Sequence, residues 1–158
     1  ATAARRLGMR PGIAATGPAG AFAAPHMVDR HHDVARHTGD EALQLIAGAI
    51  RDNVREGDLV GRIGGEEFGV FLEDAGPEVA DLAAERIRAA VNAVFVTSEG
   101  IAQRLSVSIG GAVCAGDAGF SELFRIADRR LYEAKHAGRN RVELGSSAAL
   151  AEMRVAAG

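Results

Sequence analysis

Two adjacent carboxylates, Glu66 and Glu67, follow two glycines and precede a phenylalanine in GRIGGEEFGVFL, Gly61 to Leu72. Paired acids on one turn make a carboxylate site, able to hold a cation or accept a proton. Gly64 and Gly65 carry no side chain, so the backbone there can approach a large ligand closely. The same residues also suit a tight acidic hairpin turn with no chemistry at all. Further along, Lys135 and Arg139 stand four residues apart. On a helix that spacing places both cations on one face. It equally suits a solvated basic helix end that complements the helix dipole.

The elements that must carry these residues follow from periodicity. Leu43, Ile46, Ala47, Ile50 and Val54 recur at helical spacing, which predicts an amphipathic helix from Asp40 to Val54. Leu59–Ile63 and Phe68–Leu72 flank Gly64-Gly65 as a strand, turn and strand. Gly76-Pro77 opens a second helix, with Val79, Leu82, Ala83, Ile87, Ala90 and Val91 assigned to its inner face. Val94–Ser98 and the β-branched run Leu105–Val113 read as strands. SELFRIADRRLYEAKHAG reads as a third helix, buried through Leu123, Phe124, Ala127, Leu131 and Ala134 and stopped by Gly138. NRVEL supplies a short closing strand, and the Ala-rich tail from Ser146 reads as a frayed helix. Strands alternating with helices around a hairpin argue for an α/β or α+β layered domain, with helices packed on one sheet.

Bulk properties bound the function. The chain has 158 residues, 47% of them apolar, enough for one domain with a core. A net charge of −3 argues against a nucleic-acid binder or a membrane-surface protein. One cysteine, Cys114, excludes an internal disulfide and fits a reducing compartment. No apolar run is long enough to span a bilayer. Residues 1–24 carry Arg5, Arg6 and Arg10 and no acid, yet lack the apolar centre of an export signal. They read as a poorly specified arm or a degenerate first helix, ahead of a domain over 25–145 and a tail over 146–158.

Gly64-Gly65-Glu66-Glu67-Phe68 does not stand alone. Gly39–Leu43 (GDEAL), Ser106–Ala112 (SVSIGGA) and Ala127–Asn140 (ADRRLYEAKHAGRN) accompany it in fixed order. With these blocks, residues 39–145 resemble the GGDEF family, the diguanylate cyclase domains that join two GTP molecules into cyclic di-GMP. The resemblance implies a nucleotidyl-cyclase-like fold, with a central, mostly antiparallel sheet, flanking helices and the GGEEF turn on a β-hairpin. It implies Mg²⁺ or Mn²⁺ as cofactor, with Glu66 as metal ligand and helper in deprotonating the 3′-hydroxyl, and Glu67 supporting the metal site. Gly64 and Gly65 would lie against the nucleotide. Lys135 and Arg139 would hold the β- and γ-phosphates. Asp40 would read guanine, since a carboxylate accepts from N1–H and N2–H₂, which adenine lacks. An N-cap for the helix beginning at Asp40 is the other reading of that residue. Arg55-x-x-Asp58, with Arg86, matches the family's product-binding inhibitory site, where arginines can grip phosphate and the aspartate a guanine edge. A surface Arg–Asp pair is the plain alternative.

Upstream of Gly39 the resemblance weakens. Counting back without gaps puts Ala23 where the family has a metal-binding aspartate and His31 where it has a guanine-reading asparagine. A shortened register puts Asp29 in the metal role instead. His31 can share one hydrogen bond with guanine but not the paired contacts of an amide. His26, His31, His32 and His37, with Asp29 and Asp33, are rich in metal-ligand types, but their spacing fits no metal motif and a polar loop over the nucleotide is expected. The family context implies a cytoplasmic domain working as a homodimer, with an upstream sensory or receiver domain outside this chain. A degenerate member that only binds cyclic di-GMP or GTP is the competing expectation.

Overall fold

A computed structural model describes residues 20–27, 36–114 and 119–146. The chain runs β1 (Gly20–Met27), α1 (Arg36–Arg51), β2 (Leu59–Gly64), β3 (Glu67–Glu73), α2 (Pro77–Asn92), β4 (Phe95–Ser98), β5 (Ile101–Arg104), β6 (Val107–Cys114), α3 (Phe120–His136) and β7 (Val142–Ser146). Five strands form one sheet in the order β2-β3-β1-β6-β7, while β4 and β5 make a separate hairpin. Among the described residues, only the β6–β7 pair of the main sheet is parallel. The expected α+β layering is what the chain adopts.

β6 shows how the layers are glued. All of its residues are buried, and side chains alternate between faces along a strand. Val107, Ile109 and Val113 join Ile46, Ile50, Ala83, Ile87 and Val91 from α1 and α2 in one core. Ala112 and Cys114 join Leu123, Ala127 and Leu131 from α3 in a second core on the other face. At Gly110 the strand and α3 touch backbone to backbone. A Cβ there would collide with the carbonyl oxygen of Ala127 and the backbone of Leu131.

Several expectations shift. β1 begins at Gly20, ahead of the boundary at residue 25, and lies at the centre of the sheet. Its Ala-rich sequence with Pro25 carries little strand propensity. Pairing on both flanks makes it a strand nonetheless, and its ladder with β3 passes over Ala24 and Pro25. Proline has no N–H to give to a ladder. On α2 the buried set is Ala80, Ala83, Ala84, Ile87 and Val91. Val79 and Leu82, expected inside, are 51% and 68% exposed. Alanines on the neighbouring stripe pack closer to the sheet than the larger pair, so size misled the choice of face. On α3 the buried stripe takes Ile126, with Phe124 only half-buried. Ile101–Arg104 forms a strand by pairing with β4, although its four residues lack a clear alternation. The expected tail helix lies outside the described residues.

Pairing registers define which loops share an end of the sheet. His26 of β1 faces Glu67 of β3, and Met27 faces Val107 of β6. Ile109, two residues on from Val107, faces Val142 at the start of β7. The β2–β3 turn, the end of β1, the start of β6 and the α3–β7 loop therefore all leave the sheet at one end. Glu73 faces Gly20 at the opposite end.

Candidate functional site

The GGEEF residues sit on the hairpin between β2 and β3. Gly64 pairs with Glu67 after a register shift between Arg62 and Gly64. Gly65 takes φ +45, a left-handed value that favours glycine, and faces open space where a side chain would be. Arg62 Nε donates to the carbonyl oxygen of Gly65 at 2.7 Å, which braces the turn from inside the hairpin. Glu66 is exposed at the tip and Glu67 half-buried beside it.

Asp40 lies inside α1, because the helix already starts at Arg36. It is therefore not the N-cap. Its carboxylate is exposed and makes no hydrogen bond or ion pair among the described residues. It lines a cavity of about 350 Å³ between α1 and the hairpin. Leu43, Ala47, Val60 and Phe68 give this cavity apolar walls, while Gln44, Arg51 and Arg62 add polar groups. A flat aromatic base with polar edges matches such a lining.

Lys135 and Arg139 do not share a helix face. α3 ends at His136, and Gly138, Arg139 and Asn140 follow with φ of +115, +62 and +47. The left-handed glycine stops the helix before Arg139 is reached. Lys135 thus stands on the last helical turn and Arg139 on the loop beyond it. Both belong to the end of the sheet that carries the GGEE turn. Neither side chain has a hydrogen bond or ion pair among the described residues.

Arg55, Asp58 and Arg86 come together around the α1–β2 loop. Arg55 Nε donates to Asp58 Oδ1 at 3.3 Å, and the Arg55 backbone N–H donates to Asp58 Oδ2 at 3.0 Å. Arg55 Nη2 also donates to the carbonyl oxygen of Glu73, and the Glu73 N–H donates to Asp58 Oδ1 at 3.3 Å. Arg86 reaches over from α2 to donate through Nη2 to the Asn53 carbonyl at 2.7 Å. The Asp58 side chain is 4% exposed, against 57% for Arg55. Asp58 is consequently an internal clip for the loop, whereas the arginines face solvent. This cluster lies at the Glu73 end of the sheet. β3 separates it from Glu67 by six residue steps, roughly 20 Å at strand rise.

Asp29 and His31, expected at the metal and the base, lie outside the described residues, as do His32 and Asp33. His26 falls on β1, and His37 on the first turn of α1 rather than on a loop. Among the described residues no three His, Cys, Asp or Glu side chains are grouped to enclose a metal ion. Glu66 and Glu67 still fit a hard divalent cation, since Mg²⁺ is commonly held by one or two carboxylates together with substrate phosphates and water. No sequence signal had singled out Arg62. Asn140 and Ser108 were within quoted motifs, but only their contacts reveal a purpose.

Among known proteins, the family described as "Diguanylate cyclase, GGDEF domain" matches residues 35–141. The chain is 44% identical over 109 residues to diguanylate cyclase DosC of Escherichia coli, covering 68% of this chain and 24% of that protein. It superposes on diguanylate cyclase SiaD of Pseudomonas aeruginosa, solved with its activator SiaC, with a TM-score of 0.75 and 29% identity over 82% of this chain and 51% of SiaD. The GGDEF domain of PA1120, also from Pseudomonas aeruginosa, gives a TM-score of 0.70 at 31% identity over 81% of this chain and 83% of that domain. An α+β domain with a glycine–acid hairpin and a left-handed basic loop at one sheet end defines the class, and the chain belongs to the GGDEF family. It spans about a quarter of the length of curated relatives such as DosC. Among the described residues no helix is long and apolar enough to cross a membrane.

Proposed function

We propose that this domain is a diguanylate cyclase, condensing two GTP molecules into cyclic di-GMP. The observation that carries the reading is the shared sheet end of the Glu66 turn and the Arg139 loop, with the Asp40 cavity flanking the same hairpin. Guanine would enter the cavity, its N1–H and N2–H₂ donating to Asp40. Lys135 and Arg139 would grip the β- and γ-phosphates, an ammonium and a planar fork suited to anionic oxygens. Gly65 would leave room for the phosphates to lie against the turn.

In each half-reaction the 3′-hydroxyl oxygen of one GTP bonds to the α-phosphorus of the other. The bond from that phosphorus to the oxygen bridging the β-phosphate breaks, and pyrophosphate leaves. The hydroxyl proton passes to a carboxylate, which we assign to Glu66. Mg²⁺ or Mn²⁺ held by Glu66 and Glu67 would supply charge neutralisation at the phosphates. One protomer binds one GTP, so the reaction requires an antiparallel homodimer. The arginines of the Arg55/Asp58/Arg86 cluster would bind product and inhibit. An input domain, sensory or receiver in type, and a cytoplasmic setting where GTP is available complete the proposal.

A second reading is favoured by one observation: β1, GAFAAPHM, contains no carboxylate near the turn. Without a second acidic ligand, a two-metal site weakens. The domain would then bind GTP or cyclic di-GMP and act as a receptor. Incubation with GTP and Mg²⁺ at rising protein concentration separates the two. Cyclic di-GMP whose yield per protomer rises with concentration supports the cyclase. No product at any concentration, with calorimetric binding of cyclic di-GMP, would establish the receptor.

A further inference from the structure

We infer that Asn140 is a positioning residue that holds Arg139 in its phosphate-gripping conformation. The inference rests on the nucleotide reading above. Arg139 occupies φ +62, a region that side-chain-bearing residues enter at an energetic cost. Its N–H donates back to the Ala134 carbonyl at 3.0 Å, closing the end of α3. That bond alone leaves the residue's forward side free to relax. Asn140 pins the forward side from three directions.

Its backbone N–H donates to Ser108 Oγ at 3.2 Å, and Ser108 is fully buried on β6. Arg88 Nη1 on α2 donates to Asn140 Oδ1 at 3.2 Å, and Asn140 Nδ2 donates to Asn92 Oδ1 at 3.3 Å. Arg88 is itself braced by Glu85 at 2.8 Å. Arginine can only donate, so the amide oxygen must face Arg88 and the amide nitrogen must face Asn92. One step further, the Arg141 carbonyl accepts from the Ile109 N–H at 2.9 Å. Arg139 is therefore suspended between fixed peptides, with its guanidinium left unpaired among the described residues.

The residue type fits the task. Asparagine tolerates φ near +47 better than other side chains, and its short amide offers one acceptor and one donor. Glycine would keep the backbone but lose both contacts to α2. Aspartate would keep an acceptor but lose the donor. Fixing the backbone that carries a cation before the ligand arrives removes part of the ordering entropy from binding. Asn140 touches no phosphate in this scheme; it acts through Arg139.

The test uses 3′-deoxy-GTP, which lacks the attacking hydroxyl, and 3′-deoxy-GMP, which lacks the phosphates that Arg139 would hold. Calorimetry with Mg²⁺ gives the affinity ratio between them. Wild type should prefer the triphosphate. Asn140→Gly should weaken the triphosphate about tenfold and leave the monophosphate within about twofold. Arg88→Met, which leaves the loop's own residues intact, should shift the ratio the same way to a smaller extent, and it decides the matter should Asn140→Gly fail to fold. An unchanged ratio in the folded variants, whether both affinities hold or both fall together, overturns the inference and leaves the nucleotide reading standing. A wild type with no triphosphate preference overturns both.

Discussion

Glu66 and Asp58 are both acids beside loops, yet the fold places them in opposite surroundings. Glu66 is exposed at the tip of a turn whose backbone is held by Arg62. Asp58 is buried and accepts from two backbone N–H groups, of Arg55 and Glu73. Glu66→Gln should therefore abolish cyclic di-GMP formation while leaving the urea unfolding midpoint unchanged, because an exposed carboxylate adds little to stability. Retained turnover in that variant would remove Glu66 from the chemistry. Asp58→Ala should behave in the reverse sense, lowering stability by about 0.5–1.5 kcal/mol as the loop loses the acceptor that clips it. Chemical denaturation measures this directly, and an unshifted midpoint would mean the clip is dispensable.

At the scale of elements, the close seat of α3 on β6 decides where Lys135 and Arg139 can be. Gly110 lets the Ala127–Leu131 backbone lie against the strand, which fixes the height of α3 and of the loop beyond Gly138. A methyl group at Gly110 has backbone, not a yielding side chain, in its way. Gly110→Ala should cost about 1–3 kcal/mol or more, the range for overpacking a tight core. Near-wild-type stability would show that α3 can lift away without penalty. α2 is the second positioning element. It presents Arg86 to the α1 exit and Arg88 and Asn92 to the α3–β7 loop, so one rigid helix touches both ends of the molecule's polar surface.

For the molecule as a whole, the sheet separates two polar clusters along its length. The GGEE turn and the Arg139 loop share one end, and the Arg55/Arg86 cluster sits by Glu73 at the other. A ligand bound in one cannot touch the other across roughly 20 Å of strand. Arg55→Ala should thus relieve inhibition by cyclic di-GMP without altering the initial rate at low product. Initial-rate assays with added product test this, and superimposable inhibition curves for variant and wild type would reject the product-binding assignment. Stability should change little in the same variant, because the Arg55 side chain is 57% exposed.

The chain's own order of residues determined the hairpin, the three helices of the described residues and the family, because each is a local signal. Period-2 runs around Gly-Gly, helical spacing of Ile46 and Ile50, and the GGEEF, SVSIGGA and GRN blocks are all short-range patterns. Other features were decided only by tertiary contact. The Ala-rich β1 became the central strand through pairing on both flanks, which no propensity of its own announces. α2 buried its alanines rather than Val79 and Leu82 because close packing, not side-chain size, chose the face. Arg139 left the helical row of Lys135 because the left-handed Gly138 ends the helix before it. Asn140 gained its contacts from Arg88, Asn92 and Ser108, partners 32 to 52 residues away in the chain. Contacts over such separations depend on the whole fold, so residue types and spacing alone leave them open.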